Sequence, residues 1–178
     1  MSAVHSQCMS GPSPTRLADL ARGDLAWLRA FLSGRRTRGT SLAAQLDARH
    51  DTEKQDTLLT WAARHGQAEA VRLLLEGGAS IGATTVDGAS ALYIASQEGH
   101  LDCVRLLLEA GAAVAHADAE GRTPLFVTCR EGHLECARLL LDAGAAVNQA
   151  DAEGRTPLYV ACYMGRLEVA QLRPHRGA

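Results

Sequence analysis

DAEGRTPLFVTCREGHLECARLLLDAGAAVNQA, residues 118–150, is the stretch that decides the fold, because the rest of the chain repeats it. The segment that begins at Asp151, DAEGRTPLYVACYMGRLEVAQL, copies it closely, and residues 86–114 and 55–81 are looser copies. Two columns of glycines keep a step of 33 residues: Gly66, Gly99, Gly132 and Gly165, and then Gly78, Gly111, Gly144 and Gly177. A period in this range indicates a repeat array.

Each unit carries the local signals of two short helices. Thr123-Pro124 predicts a helix start, because proline suits the first helical turn and has no donor to waste there. Gly132 predicts the end of that helix, since glycine accepts a left-handed backbone. A second helix is predicted over 134–143, with Gly144 ending it. The apolar stripes at helical spacing are Leu125, Thr128 and Cys129 on the first helix and Leu134, Ala137, Leu140 and Leu141 on the second.

The composition favours packed helices and excludes several partners. Hydrophobic residues make up 47% of the chain but aromatic residues only 4%, so the apolar mass is mainly Ala and Leu. The formal net charge of −2 gives no reason to expect nucleic acid or an anionic membrane as a partner. Apolar runs are far shorter than a membrane span, and no secretory signal is visible at the N-terminus.

The cysteines predict a reducing compartment. Cys103 and Cys136 lie one period apart, as do Cys129 and Cys162. Stacked helices lie roughly 8–10 Å apart, whereas a disulfide needs its Cα atoms within about 7 Å. Equivalent cysteines of neighbouring repeats are therefore expected to stay free. We expect an intracellular protein, in the cytoplasm, with the nucleus left open.

The repeat columns divide the chain into seven parts. The first is a disordered tail rich in Ser, Gly and Pro, and the third is a polar insertion that holds Arg35, Arg36 and Arg38, a nuclear address, a phosphate contact or simply a solvated loop. The predicted parts are the tail 1–14, a degenerate first repeat or cap 15–33, the insertion 34–54, repeats 55–87, 88–120 and 121–153, and an incomplete repeat 154–178.

The units resemble the ankyrin repeat, whose T-P-L-H-x-A signature is matched by Thr123–Thr128 and Thr156–Ala161. Gly-His follows at 99–100 and 132–133, and the Leu-Leu-Leu ending begins at 73, 106 and 139. The resemblance implies an all-α, ankyrin-repeat solenoid of stacked helix-turn-helix units with short hairpin-like turns. The motif histidine is replaced by Thr60, Tyr93, Phe126 and Tyr159, so its usual hydrogen bonds across repeats must be remade or absent.

The C-terminal unit departs most from the pattern. Arg173 and Pro174 fall in the columns of Leu140 and Leu141. A proline inside a helix costs about 3 kcal/mol or more, and a charge in an apolar column is unfavourable. We therefore expect a frayed last helix, and a chain that is a truncated or alternative form of a longer array.

Chemical sites are weak by comparison with the repeat signal. Cys129, His133 and Cys136 lie in one unit, but structural zinc takes four ligands. The same columns in neighbouring units hold Ser96 and Val169, which favours small core residues over ligands. His100 and His133 stand at the interhelix turn, where turn hydrogen bonding is favoured over general-base chemistry. No cofactor, no metal and no enzymatic activity are expected.

The resemblance also implies one modification site. Asn148 in GAAVNQA matches the turn asparagine that intracellular asparaginyl hydroxylases modify in this family. The alternative is an ordinary turn residue whose side chain bonds its own backbone.

Repeat arrays usually act by recognition on an extended concave surface, which in ankyrin repeats is made by the turn tips and the exposed ends of the first helices. The chain is therefore expected to be a non-catalytic adaptor or scaffold, monomeric apart from one protein partner. The alternatives are an inhibitory protein that masks a signalling partner, or a truncated ubiquitin-ligase substrate receptor without its SOCS box. The predicted contact residues are Arg64, His65, Asp87, Gln97, Glu98, Glu120, Arg122, Arg130, Glu131, Glu153, Arg155, Tyr163 and Met164.

Overall fold

The computed structural model describes residues 22–33, 46–48 and 56–172. Helix is the only regular structure in these ranges, apart from an isolated antiparallel bridge between Thr84 and Ser90. The helices are α1 Ala26–Ser33, α2 Leu58–Arg64, α3 Ala68–Glu76, α4 Ala91–Glu98, α5 Leu101–Glu109, α6 Pro124–Glu131, α7 Leu134–Asp142, α8 Pro157–Tyr163 and α9 Leu167–Ala170. The all-α repeat fold predicted from the sequence is confirmed.

The first helices α2, α4, α6 and α8 begin with the same hydroxyl cap. The hydroxyl of Thr123 accepts a hydrogen bond from the Phe126 amide at 3.2 Å, and Pro124 occupies the first turn. Thr57 and Ser90 cap α2 and α4 in the same way although no proline follows them. A hydroxyl cap of this kind is worth about 1 kcal/mol. The departures from Thr-Pro therefore leave the helix starts in place.

The helices stack in two layers. The first helices α2, α4, α6 and α8 contact one another in order, and α3, α5, α7 and α9 form a second row against them. All six residues from Pro124 to Cys129 are buried. The predicted stripe of Leu125, Thr128 and Cys129 is buried, and the residues between them are buried as well, because α4, α8 and α7 pack around this helix.

The second helices keep an outer face in water. Cys136, Ala137 and Leu140 of α7 are buried, whereas Leu134 and Leu141 are half-buried. The N-terminal end of this row is covered by α1, which packs on α3 and buries Leu28. The core is thus a continuous row of Leu, Ala and Val side chains between the two layers.

The last helix is short. α9 has four residues, whereas α5 and α7 have nine. Arg173 and Pro174, on which the prediction of fraying rests, lie outside the described residues, as do the tail 1–14, the arginines of the insertion and most of the insertion itself.

Candidate partner-binding surface

An aspartate carboxylate fixes the backbone of two turn tips, at residues 118–122 and 151–155. Asp118 Oδ1 accepts hydrogen bonds from the amides of Glu120 and Arg122, at 3.0 and 2.9 Å. Its other oxygen accepts from Arg122 Nε at 2.8 Å and from the hydroxyl of Tyr93 at 2.8 Å. The tip is thereby fixed by its own first residue and tied to the preceding repeat.

The next tip repeats this arrangement around Asp151. Its carboxylate accepts from the amides of Glu153 and Arg155, at 3.1 and 2.9 Å, and from Arg155 Nε at 2.8 Å. Phe126 occupies the column of Tyr93 and has no hydroxyl that could bond Asp151. The Arg155 guanidinium lies 6.0 Å from the Phe126 ring centre. The two interfaces therefore have the same hydrogen bonds within the turn, but only the first has a hydrogen bond from a tyrosine hydroxyl to the carboxylate.

Backbone hydrogen bonds join the tips into a row. The amide of Ala119 donates to the carbonyl of Asp87 at 2.9 Å, and the amide of Ala152 donates to the carbonyl of Glu120 at 2.9 Å. We name Asp87, Glu120 and Glu153 the acidic ladder, since they occupy equivalent positions one period apart and all are exposed. These two bonds link each tip of the ladder to the next.

The arginines of the tips are turned back onto the protein. Arg122 Nη2 lies 2.6 Å from Asp118 and Nη1 lies 2.8 Å from Glu120, and its side chain is 22% exposed against 62% for Glu120. Arg155 bonds Asp151 and Glu153 in the same way. The carboxylates of Glu120 and Glu153 are therefore more exposed to solvent than the arginines of the same tips.

The electrostatics of the tip keep Asp118 ionised. Burial by itself would raise the pKa of this carboxyl, but hydrogen bonds from the side chain and backbone of Arg122 and from Tyr93 outweigh burial and lower it. Burial, and then the hydrogen bond to Asp118, raise the pKa of the Tyr93 hydroxyl. The pair therefore consists of a neutral phenol that donates to a charged carboxylate.

The ends of the first helices form a second row that is linked across repeats. His100 Nε2 lies 3.0 Å from the carbonyl of Arg64, and His133 Nε2 lies 3.0 Å from the carbonyl of Gln97. A carbonyl can only accept, so these ring nitrogens donate. Arg166 takes the same position in the last unit, where its Nε donates to the carbonyl of Arg130 at 3.2 Å. The turn histidines bond the preceding repeat, which supports a role in turn hydrogen bonding over general-base chemistry.

Several side chains of this second row have intramolecular partners. Arg64 makes two hydrogen bonds, of 3.1 and 3.2 Å, to the buried carboxylate of Asp56. His65 stacks on Trp61 with ring centres 3.9 Å apart. Two further polar contacts join adjacent residues, Gln97 to Glu98 at 3.1 Å and Arg130 to Glu131 at 2.8 Å.

An aromatic patch closes the row at its C-terminal end. Tyr163 is 77% exposed, and Met164 beside it is also exposed. Tyr163 stacks nearly parallel to Tyr159, with ring centres 6.3 Å apart. Side chains of this kind are favoured at interface centres.

The thirteen predicted contact residues thus fall in two rows, the tips and the helix ends, each linked from repeat to repeat. Sequence reasoning missed Asp118 and Asp151, which hold the tips. The recurrence of Asp four residues before Arg in DAEGR was the available signal, because a short acidic side chain at a turn bonds nearby amides. Sequence reasoning also missed Leu158, Tyr159 and Leu167, which are exposed.

The cysteines considered as metal ligands lie in the packed core of the stack. Cys129 and Cys136 are buried, and burial raises the pKa of the Cys129 thiol to about 12. No group of three His, Cys, Asp or Glu side chains in the described ranges is placed to hold a metal ion. The cysteines described, namely Cys103, Cys129, Cys136 and Cys162, are all free, as predicted from the repeat register.

Two further sequence predictions concern the surface. Asn148 lies exposed in the turn after α7, so its modification stays a prediction. Among the described helices, none has the length and apolar character needed to cross a membrane.

Comparison with known families agrees with this architecture. A comparison with individual curated proteins gave no match. A family model described as ankyrin repeats, three copies, matches residues 23–118 and 112–172. Repeats of this kind are generally protein–protein interaction modules. With the two-layer stack and its repeat-to-repeat bonds, this match shows that the chain belongs to the ankyrin-repeat family.

Proposed function

We propose that this protein is a non-catalytic interaction module that binds a basic segment of a partner protein along the turn tips and the first-helix ends. The observation that carries the proposal is the acidic ladder of Asp87, Glu120 and Glu153. Its members are exposed, one period apart, and attached to tips that are bonded to one another. A partner in extended form could meet them in sequence.

The charge balance of the tips favours a basic partner. In the tip of Asp118, two carboxylates share the single guanidinium of Arg122, and the tip of Asp151 has the same composition. Each of these tips therefore keeps one net negative charge. Complementary charge steers association and selects among partners more than it adds affinity.

Tyr163 and Met164 supply the apolar contact that charge alone lacks. Aromatic residues in desolvated pockets carry much of the binding energy at protein interfaces. A partner segment with basic residues followed by an apolar one fits the order of the ladder and the patch. Such a module could serve as an adaptor, or as an inhibitor that masks its partner.

Charge reversal of the ladder tests the proposal. The variant Asp87→Lys, Glu120→Lys, Glu153→Lys changes exposed carboxylates only, and exposed ion pairs contribute about 0–1 kcal/mol, so the stack should remain folded. The matched control is Glu76→Lys, Glu109→Lys, Asp142→Lys, which carries the same charge change with the same spacing on the second helices.

Both variants and the unmodified chain are used for affinity purification from cell lysate, followed by mass spectrometry and direct binding of the captured proteins. We expect partners that the chain and its control retain and that the ladder variant binds at least about tenfold more weakly, with affinity that falls as salt rises. Partners that bind both variants equally would overturn the assignment of this surface. Titration of a captured partner's own activity then separates an adaptor from an inhibitor.

A further inference from the structure

The turn tips at residues 118–122 and 151–155 use every one of their backbone amides within the protein. In each tip two amides donate to carbonyls of the same tip, two donate to the aspartate carboxylate that opens it, and one donates to the preceding tip. In the first tip these donors are, in that order, Asp118 and Gly121, Glu120 and Arg122, and Ala119. A partner segment therefore meets no spare amide in these two tips and must be recognised by side chains.

The absence of spare amides in these two tips argues against a partner that adds as a β-strand. A strand pairs through alternating amides and carbonyls, so its carbonyls need donors from the surface that they meet. Two backbone conformations make no such demand. An α-helix bonds its own amides and carbonyls, whereas a polyproline II segment has no internal hydrogen bonds and keeps its backbone in water.

The spacing of the acidic ladder distinguishes these two conformations. Its members lie on successive repeats, and stacked helices are roughly 8–10 Å apart, so two steps of the ladder cover about 16–20 Å. Polyproline II has three residues per turn, so every third side chain returns to the same side after about 9 Å, and two such steps cover about 19 Å. Same-side residues seven apart in an α-helix are separated by about 10.5 Å, and two such steps cover about 21 Å. The ladder therefore matches polyproline II better than a helix.

An exposed apolar side chain stands beside each carboxylate of the ladder. We name these residues the apolar row: Val86, Ala119 and Ala152, each of which directly precedes a member of the ladder. Val86 is 52% exposed, and the two alanines are exposed as well. Each tip thus presents an apolar contact and a carboxylate together. This pairing favours a ligand that carries apolar residues between its basic ones.

We infer that the basic partner segment lies across the tips in the polyproline II conformation, with Lys or Arg at every third position and proline between them. This inference rests on the proposed function. The basic residues meet the acidic ladder, and the proline rings lie on the apolar row. The central basic residue meets Glu120 whichever way the segment runs. Because proline already fixes the backbone, the segment loses little conformational entropy when it binds.

The test uses the full chain and synthetic peptides of defined spacing. The main probe has three lysines, one at every third position, and proline at the other positions. The first control has the same composition but places the lysines at every second position. The second control is an alanine-based helical peptide whose three lysines lie seven residues apart. Binding is measured by fluorescence anisotropy at low ionic strength, where screening of exposed charges is weak.

We expect the main probe to bind the unmodified chain about fivefold or more tightly than either control, because a misplaced lysine loses its ion pair. Glu120→Lys, or glutamate in place of the central lysine of the probe, should each weaken binding about fivefold. The two changes together should restore it to within about twofold, since opposite charges again face each other. Glutamate in place of a terminal lysine should not rescue Glu120→Lys.

Two further variants separate the apolar row from the rest of the surface. Val86→Ser should weaken binding of the main probe by about twofold to threefold, because a proline ring loses its apolar contact. The control Glu109→Lys changes a carboxylate on a second helix and should have a smaller effect on the main probe than Glu120→Lys.

The outcomes separate this inference from the proposed function. If the three peptides bind equally, or the helical peptide binds best, and the ladder variant weakens all of them, the polyproline II inference is wrong and the acidic ladder stands. If the ladder variant and its control bind every peptide equally, both fail. Lack of measurable binding of the main probe also refutes the inference, and the proteins captured through the ladder then decide the proposed function alone. Rescue by any glutamate, central or terminal, would show that the register is not fixed.

Discussion

The hydroxyl of Tyr93 donates a 2.8 Å hydrogen bond to the carboxylate of Asp118, so that a first helix is bonded directly to the first turn of the following repeat. Asp118 at the same time accepts both amides of its own tip and the Arg122 guanidinium. One carboxylate therefore shapes a turn and couples two repeats. At the next interface Phe126 replaces the phenol, and Asp151 keeps only the bonds within its turn.

Loss of the Tyr93 hydroxyl should uncouple these repeats measurably. Tyr93→Phe keeps the buried ring and removes a hydrogen bond to a charged acceptor, which is worth about 1.5–3 kcal/mol. We expect the free energy of unfolding in urea to fall by about 1.5 kcal/mol. The matched variant Phe126→Tyr places a hydroxyl opposite Asp151 and should cause no such loss. Equal effects of the two variants would show that the hydroxyl is not the coupling group.

The charge on Asp118 should make stability depend on pH at the acid side. The folded-state pKa of Asp118 is lowered, while an unperturbed Asp carboxyl in the unfolded chain titrates at about 3.9. A lowered folded-state pKa stabilises the protein above the unfolded value, and this contribution is lost as the pH falls through the folded value. The difference in unfolding free energy between the protein and Asp118→Asn should therefore be constant from about pH 6 to 8 and shrink below about pH 4. A difference that persists unchanged at about pH 3 would point to a role other than charge.

The repeat columns were predictable because each is decided by local chemistry. A hydroxyl before Pro124 caps a helix, and Gly132, whose φ is +91°, ends it in a left-handed conformation that only glycine adopts easily. These signals recur every 33 residues, so four helix pairs could be placed before any contact was known. The bond between Asp118 and Tyr93 was not predictable in that way, because it spans 25 residues and a repeat boundary.

The degree to which each side chain is buried could not be predicted from the local sequence pattern either. Periodicity placed Leu125, Thr128 and Cys129 on one face of the helix that begins at Pro124, and the structure buries these three together with every other residue from Pro124 to Cys129. Whether a column is buried depends on whether another repeat covers it. The same residue type in the same column, Leu125 or Leu158, is therefore inside in one unit and outside in the next.

The thiols should differ sharply in reactivity. Burial raises the pKa of Cys103, with a smaller contribution from Asp102, to about 11, and raises that of Cys129 to about 12, whereas Cys162 is exposed. Since the thiolate is the reactive form, iodoacetamide at about pH 8 should label Cys162 at least tenfold faster than Cys103, Cys129 or Cys136. Peptide mapping after timed quenching measures the rate at each site. Rapid labelling of Cys129 would mean that α6 opens readily from the stack.

The contrast between Leu125 and Leu158 gives the sharpest test of the unequal packing along the array. Truncation of a fully buried leucine costs about 2–5 kcal/mol, through lost burial and the cavity that remains. Leu125→Ala should therefore lower the free energy of unfolding by about 2 kcal/mol or more, whereas Leu158→Ala, half of whose side chain is already in water, should change it by less than about 1 kcal/mol. Urea unfolding followed by circular dichroism measures both. Similar losses for the two variants in the free protein would mean that Leu158 is covered in solution by the chain itself or by a second copy.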